Sequence, residues 1–278
     1  MTPRRRLALV LGIVTVAGCA RPPVPRTAPY IASDADVSVT RIVHGSVVVS
    51  LHGTRVLVDP WMDAGWVFRQ TEALGLVPDT LPTVRALLLT HEHRDHYDPA
   101  LLRRIAPRIP LVLTPPGLAD RVRELGFTNV VALDWWETAR VDDVAVTAVP
   151  ANHPAHENGY VLEREGRRVY VAGDTRPFPE LVDVATRFPK VDVALLPIGG
   201  QRLLGVLREM TPEQAAAAAK LLDARRVIPI HYGETGGAPF YWYAGDPVGR
   251  LRTALEHEGV PKDRLVVLQP GESWHEAH

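Results

Sequence analysis

The segment that most constrains this chain is residues 90–96, whose sequence is THEHRDH. It places three histidines and an aspartate directly after the apolar run ALLL at residues 86–89. A short apolar run of this kind predicts a buried strand. Asp98 and Pro99, just behind the segment, predict the start of a helix. The polar side chains are therefore expected on a loop at the end of a strand, where rigid folds commonly place metal-binding and catalytic groups.

The residue types in this loop indicate a metal site. His91, His93 and His96 offer imidazole nitrogens, and Asp95 offers a carboxylate. This mixture of donors suits zinc and is acceptable to manganese, iron or nickel. The alternative interpretation of the same residues is a solvated, charged entry to a helix.

Three further donors follow apolar runs later in the chain. His153 follows VAVTAVP at residues 144–150, Asp174 comes shortly after VYV at residues 169–171, and His231 follows VIPI at residues 227–230. One metal ion needs about four ligands, and two ions that share a water need about six or seven. Strand ends converge on one rim in a layered α/β fold. The pattern therefore predicts an α/β protein whose strand ends form a metal site.

The chain resembles the metallo-β-lactamase superfamily over nearly all of its predicted folded domain. The likeness is greatest to the branch of ascorbate-lactone hydrolases and enzymes of the N-acyl-phosphatidylethanolamine phospholipase D type. The matching segments are HGS at 44–46, VDPW at 58–61, residues 90–98, LDWW at 133–136, PANH at 150–153, GDT at 173–175, LPIGG at 196–200, MTPEQA at 210–215 and IHY at 230–232. The resemblance implies the four-layer αββα sandwich, in which two sheets pack face to face with helices outside.

The resemblance also implies a ligand set, because all seven family positions hold the expected residue types here. One metal would be bound by His91, His93 and His153. The second would be bound by Asp95, His96 and His231, with Asp174 bridging both. The resemblance thus implies two divalent ions, zinc first and manganese, iron or nickel as alternatives, about 3.5–4 Å apart with a shared, activated water. The implied activity is metal-dependent hydrolysis of an ester, lactone or phosphodiester in a small-molecule or lipid-like substrate.

Two residues are candidates for catalysis beyond metal binding. Asp95 would orient the water or pass a proton to the leaving group. His156 lies three residues after His153 and would contact the substrate or relay a proton, with a solvated loop histidine as the alternative. His44 is expected either to line the cavity or to lie outside it. The aromatic residues 241–243 are expected on a flexible loop that grips substrate, covers the sheet edge or touches a membrane.

Several functions are disfavoured by the sequence. Antibiotic hydrolysis of the main lactamase subclass uses a second-site cysteine, but the only cysteine is Cys19. A formal net charge of -1 provides no basic surface for nucleic acid. Residues 154–159 lack the arginine that phospholipase-like relatives carry there, and Arg94 or Arg176 would have to replace it. The alternative to a hydrolase is a non-catalytic zinc-binding lipoprotein or partner-binding module. The sequence does not indicate an oligomeric state.

The amino terminus predicts export and membrane anchoring. Residues 1–18 combine three arginines with a short apolar stretch and end in VAG before Cys19, which resembles a bacterial lipoprotein signal. Cys19 would then carry the lipid, on the outer face of the cytoplasmic membrane or in the periplasm or outer membrane. An ordinary cleaved signal is the alternative. Residues 19–36 are predicted to be a proline-rich tether, and residues 37–274 are predicted to form the hydrolase domain. Helices are predicted near residues 116–125, 179–187, 211–222 and 246–255.

Overall fold

The computed structural model describes residues 30, 32–33, 35–62 and 68–276. The predicted lipoprotein signal at residues 1–18, the lipidation site Cys19 and most of the predicted tether lie outside the described residues. Among the described residues, no helix has the length and apolar character needed to cross a membrane.

Eighteen strands form most of the regular structure of the described residues. They are β1 (Val37–Val43), β2 (Ser46–Leu51), β3 (Thr54–Val58), β4 (Phe68–Gln70), β5 (Ala86–Leu88), β6 (Val112–Thr114), β7 (Val130–Ala132), β8 (Thr138–Val141), β9 (Val144–Pro150), β10 (Asn158–Arg164), β11 (Arg167–Val171), β12 (Val193–Pro197), β13 (Arg202–Leu203), β14 (Val206–Leu207), β15 (Arg226–Ile230), β16 (Glu234–Gly236), β17 (Tyr241–Trp242) and β18 (Ser273–His275). The helices are α1 (Pro99–Ile105), α2 (Ala119–Arg123), α3 (Leu181–Arg187), α4 (Pro212–Leu221) and α5 (Pro247–His257).

Two large mixed sheets organise the fold. The first has seven strands in the order β18-β1-β2-β3-β5-β6-β7, and the second has six in the order β15-β12-β11-β10-β9-β8. Two small sheets, β14-β13-β17 and β16-β4, lie outside them in the topology. The short strand β17 places Tyr241 and Trp242 in a sheet, so the prediction of a flexible loop at this point was wrong.

Three hydrophobic cores separate four layers. The largest joins the facing sides of the two sheets, with side chains such as Val49 and Leu88 from one and Val146 and Leu195 from the other. A second core packs α1 and α2 on the outer face of the first sheet. The third packs α3, α4 and α5 on the outer face of the second sheet. This arrangement confirms the predicted α/β, four-layer αββα sandwich.

Strand direction explains how distant donors meet. In the second sheet β11, β12 and β15 are parallel, and β9 runs in the same direction because it and β11 both pair antiparallel with β10. In the first sheet β3 and β5 are parallel. The carboxyl ends of strands that run the same way lie at one edge of their sheet. The loops after β5, β9, β11 and β15 carry the predicted donors. The donors that follow each sheet's strands therefore lie at one edge of that sheet.

The predicted helix starts are confirmed, with small shifts. Asp98 accepts hydrogen bonds from the backbone N–H groups of Ala100 and Leu101 at the start of α1. Thr211 and Gln214 form the predicted capping box of α4. The segment predicted as a helix from residue 116 begins as a 3-10 turn, and its α-helical part is only Ala119–Arg123.

We expect Thr211→Ala to lower the free energy of unfolding by about 1 kcal/mol, because it removes the hydroxyl that caps α4. Thr211→Ser is the matched control, since it keeps the hydroxyl and should stay close to the wild type. Urea denaturation followed by circular dichroism measures both. Equal stability of the two variants would contradict the capping role.

Candidate metal centre

The loop after β5 is fixed by buried hydrogen bonds from both sheets. The Asp59 carboxylate, at the end of β3, accepts from the backbone N–H of Thr90 at 2.8 Å and from its hydroxyl at 2.7 Å. The Thr90 carbonyl accepts from the N–H of Asn158 in the second sheet at 3.0 Å. The N–H groups of His96 and Tyr97 both donate to the His93 carbonyl, which folds the loop into a tight turn. The turn brings the loop histidines to one place.

The first donor cluster consists of His91, His93, His153 and Asp174. Nδ1 of His93 lies 2.9 Å from Nε2 of His91 and 3.0 Å from Nε2 of His153. Oδ2 of Asp174 lies 3.8 Å from Nε2 of His91. In a tetrahedral zinc site with metal–nitrogen bonds near 2.0–2.1 Å, neighbouring ligand atoms are about 3.3 Å apart. The spacing in this cluster fits one ion of that size.

The second cluster consists of Asp95, His96, His231 and again Asp174. Nε2 of His231 lies 3.1 Å from Nε2 of His96 and 3.1 Å from Oδ2 of Asp95. Oδ1 of Asp174 lies 3.1 Å from Nε2 of His96 and 3.0 Å from Nε2 of His231, yet it is buried without a hydrogen bond of normal geometry. Asp174 therefore offers one oxygen to each cluster.

The structure thus brings all seven predicted ligands together in two groups that share Asp174. Buried imidazole nitrogens and carboxylate oxygens that converge at about 3 Å are the arrangement that a cation stabilises. The residues present fit two divalent ions, in the division between sites that the family resemblance implied.

A second layer of acceptors orients the histidine rings. Four of the five rings direct one nitrogen into a cluster and the other onto a carboxylate or carbonyl oxygen. These outer contacts join His91 Nδ1 to Glu157 Oε1 at 3.2 Å, His96 Nδ1 to Asp59 Oδ2 at 2.8 Å, His231 Nδ1 to Glu209 Oε2 at 2.5 Å, and His153 Nδ1 to the Arg208 carbonyl at 3.0 Å. Metal-binding histidines typically have such partners, which fix the ring and raise its basicity.

The protonation preferences of the ring nitrogens differ between the clusters. Burial lowers the pKa of His91 well below its ordinary value and lowers the pKa of His153 to about 4. Burial also acts to lower the pKa of His96 and His231, but attraction to the Asp174 carboxylate and its neighbours outweighs it and raises both values. The first cluster thus favours the neutral imidazole that binds metal, whereas a cation in the second would displace protons.

A cavity of about 160 Å³ opens onto both clusters. Its lining includes the donors His93, Asp95 and Asp174. The other residues around it are the aromatic Trp61, Phe68 and Tyr241, the polar Gln201 and Glu234, and the basic Arg94 and Arg208. The donors are therefore accessible to a small molecule, or to one end of a larger one.

Two histidines beside the clusters have different positions. His44 is buried against the His231 ring, with centroids 3.7 Å apart, and its Nε2 lies 3.5 Å from Oδ2 of Asp95. Burial lowers the pKa of His44 to about 3. His156 is exposed and stacks on Trp135. It is not among the described residues that line the cavity. The structure does not bring His156 to the clusters, and its catalytic role stays a prediction.

Sequence reasoning missed the outer acceptors and one arginine. Asp59 follows the strand-like run VLV at residues 56–58, the same pattern that identified the other donors. Glu157 and Glu209 follow no such run, and nothing local marks them. Of the two arginines considered, Arg94 lines the cavity, whereas Arg176 is bonded to Asn152. Arg208 also lines the cavity but lies far from residue 153 in the sequence, and it was not anticipated.

The backbone near the clusters adopts conformations that non-glycine residues rarely take. His44, Asp59 and His231 have φ angles of 51°, 42° and 58°. Gly173, with φ at +65°, lies where a Cβ would come within 2.3 Å of the Glu157 carboxylate. Glycine at this position therefore lets Glu157 reach the backbone N–H of Asp174, at 2.7 Å.

Comparison with known proteins agrees with the class that the fold and site define. Residues 54–232 match the family model described as the β-lactamase superfamily domain. The chain is 30% identical over 250 residues to a UPF0173 metal-dependent hydrolase of Pyrococcus furiosus, covering 85% of this chain and 98% of the relative. It is 29% identical over 298 residues to an uncharacterized protein of Mycobacterium tuberculosis, covering 97% and 78%. The structure of Igni18, a metallo hydrolase of Ignicoccus hospitalis, is 26% identical with a TM-score of 0.70, covering 87% and 99%.

The chain therefore belongs to the metallo-β-lactamase superfamily, as a metal-dependent hydrolase of the UPF0173 family. The narrower likeness to ascorbate-lactone hydrolases and phospholipase D-type enzymes stays a prediction.

We expect Glu209→Gln to weaken metal binding at the second cluster by about 10–100-fold, because it removes the charge behind His231. The first cluster should keep its affinity, since Glu209 does not contact His91, His93 or His153. Competition with a chromogenic chelator, at graded metal concentrations, resolves the two affinities.

Glu213→Gln is the control for that experiment, because Glu213 is exposed and pairs with Arg250 on the surface. Equal weakening of both ions in Glu209→Gln, or none, would contradict the assignment of Glu209 to one cluster.

Proposed function

We propose that this protein is a dinuclear zinc hydrolase that cleaves an ester-type bond in a small anionic substrate. The bond class is a carboxylic ester or lactone, or a phosphodiester. The observation that carries the proposal is the pair of donor clusters sharing Asp174 at an open cavity. Zinc is favoured because nitrogen donors outnumber carboxylates among the seven residues. An open cavity at the clusters argues against a closed, purely structural metal site.

When bound, two divalent ions act as Lewis acids and lower the pKa of water towards ~7. The residues that would hold them are those of the two clusters, with Asp174 between. The histidine partners Glu157, Asp59 and Glu209 keep the rings in place, so that little reorganisation is needed during the reaction.

Asp95 is the chain's best-placed group for proton transfer. Its carboxylate lines the cavity and its Oδ2 lies 3.1 Å from Nε2 of His231 and 3.5 Å from Nε2 of His44. One oxygen is thus held by the second cluster. We propose that the carboxylate orients the attacking water and passes a proton to the leaving group.

Two arginines support an anionic substrate. Arg94 and Arg208 line the cavity, and neither guanidinium makes a hydrogen bond or ion pair with another described residue. Arg208 is half-buried, and its guanidinium is therefore partly shielded from water. An unpaired guanidinium beside a metal centre is suited to bind a carboxylate or phosphate, with two parallel hydrogen bonds. The aromatic walls of the cavity would pack on the apolar part of the substrate.

Anchoring outside the cytoplasm through lipidated Cys19 is part of the proposal. Its support is the basic, apolar and small-residue pattern of residues 1–19.

The test is turnover by the full chain on matched panels of esters, lactones and aryl phosphodiesters, each with and without an anionic group. We expect turnover to vanish on chelation and to return with zinc. Asp174→Ala should lower kcat by at least about 10³-fold, because it disconnects both clusters. Asp183→Ala, an exposed carboxylate on α3, is the matched control. Substrate turnover that persists in Asp174→Ala would contradict the proposal.

Arg208→Gln tests the charge of the substrate separately. We expect KM for anionic substrates to rise about tenfold or more while KM for neutral analogues stays constant, because a charge-assisted bond is lost. Arg252→Gln, exposed on α5 and outside the cavity lining, should change neither constant. If Arg208→Gln affected neutral and anionic substrates alike, Arg208 would not be an anion-binding residue.

A further inference from the structure

A small sheet beside the cavity presents an exposed apolar surface. We define the hairpin patch as Leu204, Val206, Phe240 and Trp242, on and next to the sheet β14-β13-β17. Their exposed fractions are 68%, 57%, 55% and 51%. Of the seven large hydrophobic side chains that are exposed in the described residues, these four lie on or next to this one small sheet. Such concentration marks an interaction surface rather than scattered exposure.

The register of the sheet places Trp242 on the face that points away from the cavity. Leu203 pairs with Tyr241, Arg202 pairs with Trp242, and the Leu204 N–H donates to the Phe240 carbonyl at 2.8 Å. Successive side chains of a strand point to opposite faces. Tyr241 lines the cavity, so Trp242 lies on the opposite face, together with Arg202. Val206 pairs with Leu203 and therefore lies on the same face as Tyr241. The sheet thus has one face towards the metal centre and one away from it.

The turn at the tip of the hairpin holds a leucine in a backbone conformation that leucine rarely adopts. Leu204 and Gly205, between β13 and β14, have φ angles of 50° and +84°. Two-residue turns with both φ angles positive favour asparagine, aspartate or glycine at the first position. A leucine there is disfavoured both by its backbone and by its exposure to water. The placement is explained if the tip enters an apolar environment.

The charged residues of the hairpin segment are both arginines. The hairpin at residues 202–208 has the sequence RLLGVLR, with an arginine at each base. The adjoining Glu209 is buried at 1% exposure. Arg208 lines the cavity, whereas Arg202 is exposed on the face of Trp242. Apolar side chains beside an exposed arginine are suited to a lipid interface, where the chains enter the acyl boundary and the guanidinium stays among the head groups. Tryptophan also favours that boundary.

We propose that the hairpin patch docks on the surface of an anionic phospholipid bilayer. A stable protein interface buries about 800 Å² of surface per partner. Four partly exposed side chains provide far less surface than that, which disfavours a second copy of this chain as the partner. Docking would hold the cavity mouth close to the bilayer, because Tyr241 and Arg208 belong both to this sheet region and to the cavity lining. The proposal does not depend on the bond that the site hydrolyses.

The experiment uses a local probe, so that binding through the amino-terminal segment does not obscure the result. Cys19→Ser removes the only cysteine of the full chain. An environment-sensitive fluorophore is then attached at Leu204→Cys, or at Val182→Cys on α3, which is 52% exposed and outside the patch. Both labelled proteins are mixed with phosphatidylglycerol–phosphatidylcholine vesicles, and vesicle binding is checked by sedimentation.

We expect a blue shift of the label at position 204 and none at position 182. Arg202→Gln in the 204-labelled chain should weaken the apparent vesicle affinity by about fivefold, with little effect on pure phosphatidylcholine. The proposal is overturned by an unshifted label at 204, whether or not the protein sediments, or by equal shifts at both positions. A shift at 204 that depends on protein concentration without vesicles would identify a second copy as the partner instead.

Discussion

The convergence of seven nitrogen and oxygen donors, all of them buried or half-buried, is the constraint on which the rest of this structure depends. Removing such groups from water costs several kcal/mol for each unpaired charge, and a bound cation is the natural compensation. The fold makes the convergence possible because strands of both sheets end at one edge, with Asp174 between the two donor groups. The β-sandwich core supplies the stability, and the loops after its strands supply the chemistry.

The two sheets are tied together at the same place where the donors meet. The Tyr160 hydroxyl of the second sheet donates to the Leu89 carbonyl at 2.8 Å, and the Asn158 N–H donates to the Thr90 carbonyl at 3.0 Å. Movement of one sheet against the other would therefore misplace the loop histidines. The left-handed backbone of Asp59 and His231 at these strand exits fits a site whose geometry is held by its surroundings.

The seven donors of the two clusters were predictable because each lies shortly after an apolar run in the sequence. A short apolar run, followed by histidine or aspartate, identified the loop after β5 and the residues His153, Asp174 and His231. The layered fold followed from the family resemblance and is confirmed. Glu157 and Glu209 were not predictable, because they touch His91 and His231 only after distant segments pack together. The strand at Tyr241 escaped prediction for the same reason, since its partner β13 makes it a strand.

The most direct test of this account is anomalous X-ray diffraction from crystals of the zinc-loaded protein, measured on both sides of the zinc absorption edge. The account predicts two anomalous peaks, about 3.5–4 Å apart, one on each side of the Asp174 carboxylate. A single peak bound by only one of the two clusters, or peaks at other residues, would contradict it.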